Sequence, residues 1–132
     1  MKGSFALVML LAAASAAVAQ DAAPAADAAP KRCLDLLRIE STEIIDDKRI
    51  VFHLSGGQMY LNTLDFACAG LSRGDPFLYK TSMSQLCDLD LITVLHQQGA
   101  GFIQGPSCGL GKFERVTKEQ VAMLKRAETT HQ

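Results

Sequence analysis

The sequence predicts a mainly β fold (α+β): a small, strongly bent antiparallel sheet or barrel, closed by one short C-terminal helix and stapled by disulfides. Three observations predict it. Between positions 38 and 64, three short runs rich in Ile, Val, Thr, Phe and Tyr are separated by two tight polar or glycine turns, the pattern of a meander. One capping box opens an amphipathic stretch near the C-terminus. The chain of 132 residues carries four cysteines in an exported context, an even count that reads as two bridges.

The export context comes from the first nineteen residues. Lys2 supplies a positive start, residues 5–14 are an uncharged apolar run, and Ala17-Val18-Ala19 is a small-x-small cleavage site before Gln20. A spanning helix needs roughly 20 apolar residues, more than residues 5–19 supply, so the reading is a cleaved signal and no transmembrane anchor afterwards. No cysteine lies near position 20, which argues against lipid attachment there. Residues 20–31 are nearly all Ala, Asp and Pro and read as a disordered spacer. Residues 32–128 then form one small domain, with 129–132 a frayed tail, and the location is periplasmic or secreted.

Elements follow in order. Residues 38–46 form a strand, Asp46-Asp47-Lys48 a turn, and residues 49–54 a strand with Ile50, Phe52 and Leu54 on one face and Val51 and His53 on the other. Gly56-Gly57 turns the chain into a third strand, residues 58–64, in which Met59 and Leu61 face away from Tyr60 and Asn62. Residues 65–76 read as a loop pinned by Cys68, and residues 77–81 as a fourth strand. Ser82-Met83-Ser84-Gln85 fits a capping box that starts a helical turn carrying Leu86 and Cys87. Residues 89–95 read as a buried fifth strand, interrupted by Asp90. Residues 96–111 hold five glycines and Pro106 and read as a long loop. A last strand at 112–116 precedes Thr117-Lys118-Glu119-Gln120, which opens a helix through about Ala127 with Val121 and Leu124 on its buried face.

Composition narrows the function. Thirteen basic and fourteen acidic side chains leave a net charge of −1, which offers nucleic acid no basic face. The chain has no Trp, so base-stacking platforms are poorly supplied. The cysteines are spaced 35, 19 and 21 positions apart, too widely for C-x-x-C zinc sites. Four cysteines allow three connectivities; the reading prefers Cys68–Cys87, which closes a local excursion, with Cys33–Cys108. Bridged cysteines leave no thiolate nucleophile.

Candidate site residues are few. Asp90 interrupts an apolar strand, where a carboxylate is costly to bury unpaired; it is either a cleft carboxylate or a turn acceptor, and the second is preferred. His53 is most simply a surface side chain on the meander. Asp46-Asp47 supply too few oxygens for calcium and suit a turn. The glycine-rich stretch before Lys112 fails the phosphate-loop pattern, because Pro106 and Phe113 stand where that loop needs Gly and Ser or Thr. Within it, Phe102 and Ile103 are the best candidates for a contact point. No metal and no cofactor are implied.

Several blocks taken together resemble a family of small exported proteins of Gram-negative bacteria with no assigned function. They include Ile39-Glu40-Ser41-Thr42, Gly56-Gly57-Gln58-Met59-Tyr60-Leu61-Asn62-Thr63-Leu64, Phe77-Leu78-Tyr79-Lys80-Thr81-Ser82, Leu86-Cys87-Asp88-Leu89-Asp90-Leu91-Ile92 and Cys108-Gly109-Leu110-Gly111-Lys112-Phe113. The resemblance implies an exported one-domain protein and carries over no catalytic residue. The expected function is a non-enzymatic binding module for a protein or envelope component. The alternatives are an inhibitor of an extracytoplasmic hydrolase and, in another class, a small hydrolase or lyase using Asp90 and His53.

Overall fold

A computed structural model describes residues 29–81 and 83–131, with Gly3. The expected export signal, most of the expected spacer, Ser82 and Gln132 lie outside the described residues. The elements are β1 (Cys33–Asp35), a 3-10 turn (Leu36–Arg38), β2 (Ile39–Ile44), β3 (Arg49–Leu54), β4 (Gln58–Thr63), β5 (Phe77–Lys80), β6 (Gln85–Cys87), β7 (Leu91–Gln98), β8 (Gly101–Gly109), β9 (Phe113–Val116) and α1 (Lys118–Thr130).

The strands form three antiparallel sheets, ordered β2-β3-β4-β9, β5-β7-β8 and β1-β6. No sheet among the described residues closes into a barrel, so the open alternative holds. The meander is as expected. Asp46 shapes its first turn by accepting from the backbone N–H of Lys48 (2.8 Å) and Arg49 (2.7 Å). Gly56 and Gly57 shape the second, at φ +87° and +78°, values that a side chain disfavours. Alternation then splits the sheet into two faces. Ile50, Phe52, Leu54 and Tyr60 join the main core with Ile92, Val94, Leu110 and Phe113. Val51 and Met59 face the other way, into a smaller cluster with Val121 of α1. Phe52 meets Phe113 edge to face, ring centroids 5.5 Å apart, which ties β3 to β9 within the main core.

Four expectations are corrected. Residues 96–111 are not a loop: β7 continues to Gln98, turns at Gly99-Ala100 and returns as β8. Gly105 and Pro106 fall where the β7–β8 register shifts, and an edge strand tolerates a proline at such a bulge. Gln85, Leu86 and Cys87 form a strand instead of a helical turn, because Leu86 opposes Leu34 of β1 and is fully buried. The disulfides are Cys33–Cys87 and Cys68–Cys108, not Cys68–Cys87 and Cys33–Cys108. The β1–β6 pairing sets Cys33 directly opposite Cys87, a long-range contact that outranks closeness in sequence. Finally, the Thr117/Gln120 capping box opens α1 as expected, but the helix runs into the supposed frayed tail. There the Thr129 and Thr130 hydroxyls donate to the carbonyls of Lys125 and Arg126.

Candidate binding groove

The helix layer leaves part of the four-stranded sheet only partly covered. Strands lie about 4.8 Å apart, so four of them span roughly 14 Å between outer axes, whereas one helix with side chains is about 10 Å wide. α1 sits toward β2 and β3: Lys125 pairs with Glu43 of β2, and Glu128 lies 3.7 Å from Arg49 of β3. Arg73 adds a bond from Nη2 to the Lys125 carbonyl (3.3 Å). Val121 packs over Val51 and Met59, with Leu61, Val116 and Leu124 partly buried against that cluster; beside them, on the β4–β9 side, lies a groove of about 640 Å³.

Its floor is Leu61 and Val116, which share a face because alternation along β4 and β9 turns both toward the helix layer. One wall is the α1 flank formed by Gln120, Met123, Leu124 and Ala127, at the i, i+3, i+4, i+7 spacing of a single stripe. The other wall is Ala29 and Pro30. Met123 is 54% exposed although its neighbours are apolar. Glu114, opposite Leu61, shares the floor's face, and Arg115, the next residue along β9, also lines the groove. The edge of β9 is pinned at its start, where Phe113 and Lys31 exchange backbone hydrogen bonds of 2.8 and 2.9 Å. Lys31, placed at the end of the supposed spacer, is thus part of the folded structure. Its ammonium lies 5.2 Å from the Tyr60 ring centroid.

The residues singled out in the sequence lie elsewhere and apart. His53, on β3, approaches Glu43 on β2, with Nε2 3.4 Å from Oε2. Burial pushes the Glu43 carboxyl up, but the Lys125 ammonium and His53 more than offset this and hold it below the ordinary glutamate value. Asp90 lies ahead of β7 in a turn; its Oδ2 accepts from the Cys87 N–H (2.7 Å) and its carbonyl from the Leu110 N–H (2.9 Å). No hydrogen bond joins Asp90 to His53 among the described residues; His53 lies in β3 and Asp90 in no strand. Phe102 and Ile103 are half exposed. They oppose Gln97 and His96 on β7 as successive strand residues, so they point to opposite faces and do not make one contact point.

Sequence reasoning missed Leu61, Val116, Met123, Leu124 and Ala127 as a set. The available signal was the width of the apolar stripe on α1. Met123 lies outside the face defined by Val121 and Leu124, so the helix is more apolar than one sheet contact needs.

Fold and groove together define a small antiparallel β domain with two disulfides and one capping helix, a form suited to oxidising, extracytoplasmic compartments. No helix among the described residues is long and apolar enough to cross a membrane. The chain belongs to the family of unknown function DUF6491, whose model matches residues 2–132. No curated protein and no solved structure matches it.

Proposed function

We propose that this is an exported, non-enzymatic binding module that receives a short apolar segment of a partner protein of the cell envelope in the α1–β9 groove. The groove over the partly covered Leu61 and Val116 carries this reading. Its volume of about 640 Å³ is of the size that ligand sites occupy. Leu61 and Val116 below, with Met123 and Ala127 beside, offer apolar contact and few groups to orient a polar substrate. The groove's lining holds one acid, Glu114, and one base, Arg115, so no net charge there selects a phosphate or a polyanion.

The test uses a synthetic amphipathic helix of about fourteen residues with a Leu/Ala face, titrated into the oxidised protein and followed by methyl chemical shifts. Saturable shifts at Leu61, Val116 and Met123 are expected. Met123→Glu is expected to weaken binding at least tenfold while leaving the melting temperature nearly unchanged. Shifts confined to the outer face of the β5-β7-β8 sheet, or none that saturate, overturn the reading.

A further inference from the structure

The β7–β8 hairpin carries an open strand edge. β5 accompanies β7 only as far as Leu95, whose N–H donates to the Pro76 carbonyl (3.0 Å). Past that point, residues 96–98 and 101–103 form a two-stranded ribbon. Because the Leu95 N–H points to β5, alternation along the antiparallel pair makes Leu95–Gln104 and Gln97–Phe102 the pairs without mutual hydrogen bonds. The backbone N–H and C=O groups of Phe102 and Gln104 therefore point away from β7, off the edge of the sheet. No backbone group among the described residues bonds them, and both residues are exposed. The base of the ribbon is held by His96, whose ring lies where Gly70 and Gly105 would carry side chains: a Cβ at either would sit 2.7 or 2.6 Å from a ring atom. We propose that this edge pairs antiparallel with the same edge of a second copy, about a two-fold axis at Ile103.

The chemistry of the strand selects the occupant. Sheet edges are commonly guarded by charged side chains that block pairing. Glu40 and Glu43 stand on β2, Lys80 on β5, and Glu114 and Arg115 on β9. β8 has no such guard: residues 91–111 contain no Asp, Glu, Lys or Arg. A two-fold pairing brings each strand against its own copy, so a charge near the axis meets its like, which destabilises the pair. Among the edges of the three- and four-stranded sheets, β8 alone escapes that penalty. With Ile103 on the axis, Phe102 of one copy opposes Gln104 of the other, and the two such pairs exchange four backbone hydrogen bonds. Ile103, half exposed, meets its own copy at a non-bonded pair, where side chains approach most closely. Pro106 has no N–H, and with the register shift beside it the pairing stops there. The contact is therefore short, in the class below about 1,200 Å² that associates weakly and reversibly. It uses the same edge on both copies, so it closes at two.

The experiment is sedimentation equilibrium of the oxidised protein up to about 1 mM, the range where so small a contact is populated. The average mass is expected to rise from one chain toward two and no further. Amide exchange at Phe102 and Gln104 is expected to slow with concentration, while Ile103, already bonded to His96, is unchanged. Ile103→Lys and Ile103→Glu are each expected to weaken association by about tenfold, because each sets like charges face to face. Their equimolar mixture is expected to associate again, since Lys then meets Glu across the axis. Met123→Glu, in the α1–β9 groove, is expected to leave association as it is. A single-chain mass at every concentration overturns the proposal and leaves the edge to an extended segment of another protein. Association that survives Ile103→Lys, or that Met123→Glu abolishes, overturns it as well, and a mixture that stays monomeric overturns the axis at Ile103. Should either Ile103 variant melt early, the exchange pattern of the parent protein decides: slowing at Phe102 and Gln104 together supports the pairing, and its absence overturns it.

Discussion

Replacing Asn62 by Leu tests how the groove floor is held. Asn62 is fully buried on β4, on the main-core face of the sheet. Its side-chain amide acts as a piece of strand backbone: Nδ2 donates to the Gly111 carbonyl (2.7 Å) and Oδ1 accepts from the Gly111 N–H (2.9 Å). Gly111 leads directly into β9, which carries Val116. Only glycine fits there, because a Cβ would collide with the Thr63 carbonyl oxygen. Asn62→Leu keeps the volume but removes both bonds, each worth about 1 kcal/mol net, and leaves two backbone groups short of partners at about 1–3 kcal/mol each if water cannot reach them. Gly111 is partly exposed, so the low end applies, and the buried Leu returns about 1–2 kcal/mol. The expected net loss is about 2 kcal/mol, which for a domain this size lowers the melting temperature by about 10 °C. Asn62→Asp supplies the sign check. Its ionised form can accept from the Gly111 N–H but repels the carbonyl, so its folded pKa lies above the unfolded value. Its stability deficit against the parent is therefore smallest at pH 4 and grows as pH rises toward 7. Urea unfolding at both pH values measures this. A Leu variant as stable as the parent, or an Asp deficit independent of pH, refutes the backbone-mimic account.

Further outcomes follow from other contacts. Removing either bridge as a pair, Cys33→Ala with Cys87→Ala or Cys68→Ala with Cys108→Ala, releases a loop of 54 or 40 residues and is expected to cost up to about 4 kcal/mol; non-reducing peptide mapping checks the pairing itself. Leu89 lies at φ +76° and is 73% exposed, so Leu89→Asn is expected to relieve backbone strain and stabilise by about 0.5–1 kcal/mol, read as a raised melting temperature; a drop refutes it. The folded Glu43 carboxyl lies below its ordinary value, so its contribution is present above about pH 4.3 and is lost as pH falls through the folded value. Glu43→Gln should flatten that acid limb in unfolding measurements between pH 3 and 6, by less than about 1 kcal/mol for so exposed a pair.

What could be read in the sequence is what short-range physics decides. The alternation of Ile50, Val51, Phe52 and His53 predicts the faces of β3, and the structure sends Ile50 and Phe52 to one core and Val51 to the other. Thr117 and Gln120 predict the start of α1 because both capping bonds are local. β8 was hidden because Gly101, Gly105 and Pro106 have poor strand propensity; pairing with β7 overrides it. β1 and β6 are three residues each, too short for any period to show, and with them went the cysteine pairing. The groove is assembled from residues 29–30, 61, 114–116 and 120–127. No motif spans such separations, and only the excess apolar width of α1 hinted at it.

The groove is a consequence of arithmetic between layers. A four-stranded sheet with two apolar faces needs cover on both. The main-core face is covered by the β5-β7-β8 and β1-β6 sheets, which bury Ile92, Val94, Leu34 and Leu86 against it. The other face has one helix of thirteen residues. The ion pairs Lys125–Glu43 and Glu128–Arg49 hold its C-terminal half toward β2 and β3, while Val121 packs on Met59, so Leu61 and Val116 are left only partly covered. The polar side chains that might suggest chemistry are already engaged: Asp46 in its turn, Asp90 on Cys87, His53 with Glu43, and all four cysteines in bridges. The groove over Leu61 and Val116 is a large apolar surface among the described residues that these contacts leave unused, and Ala29 and Pro30 lie at its edge. A partly covered apolar strip with no polar chemistry beside it is a surface for contact, and that supports a binding role for it.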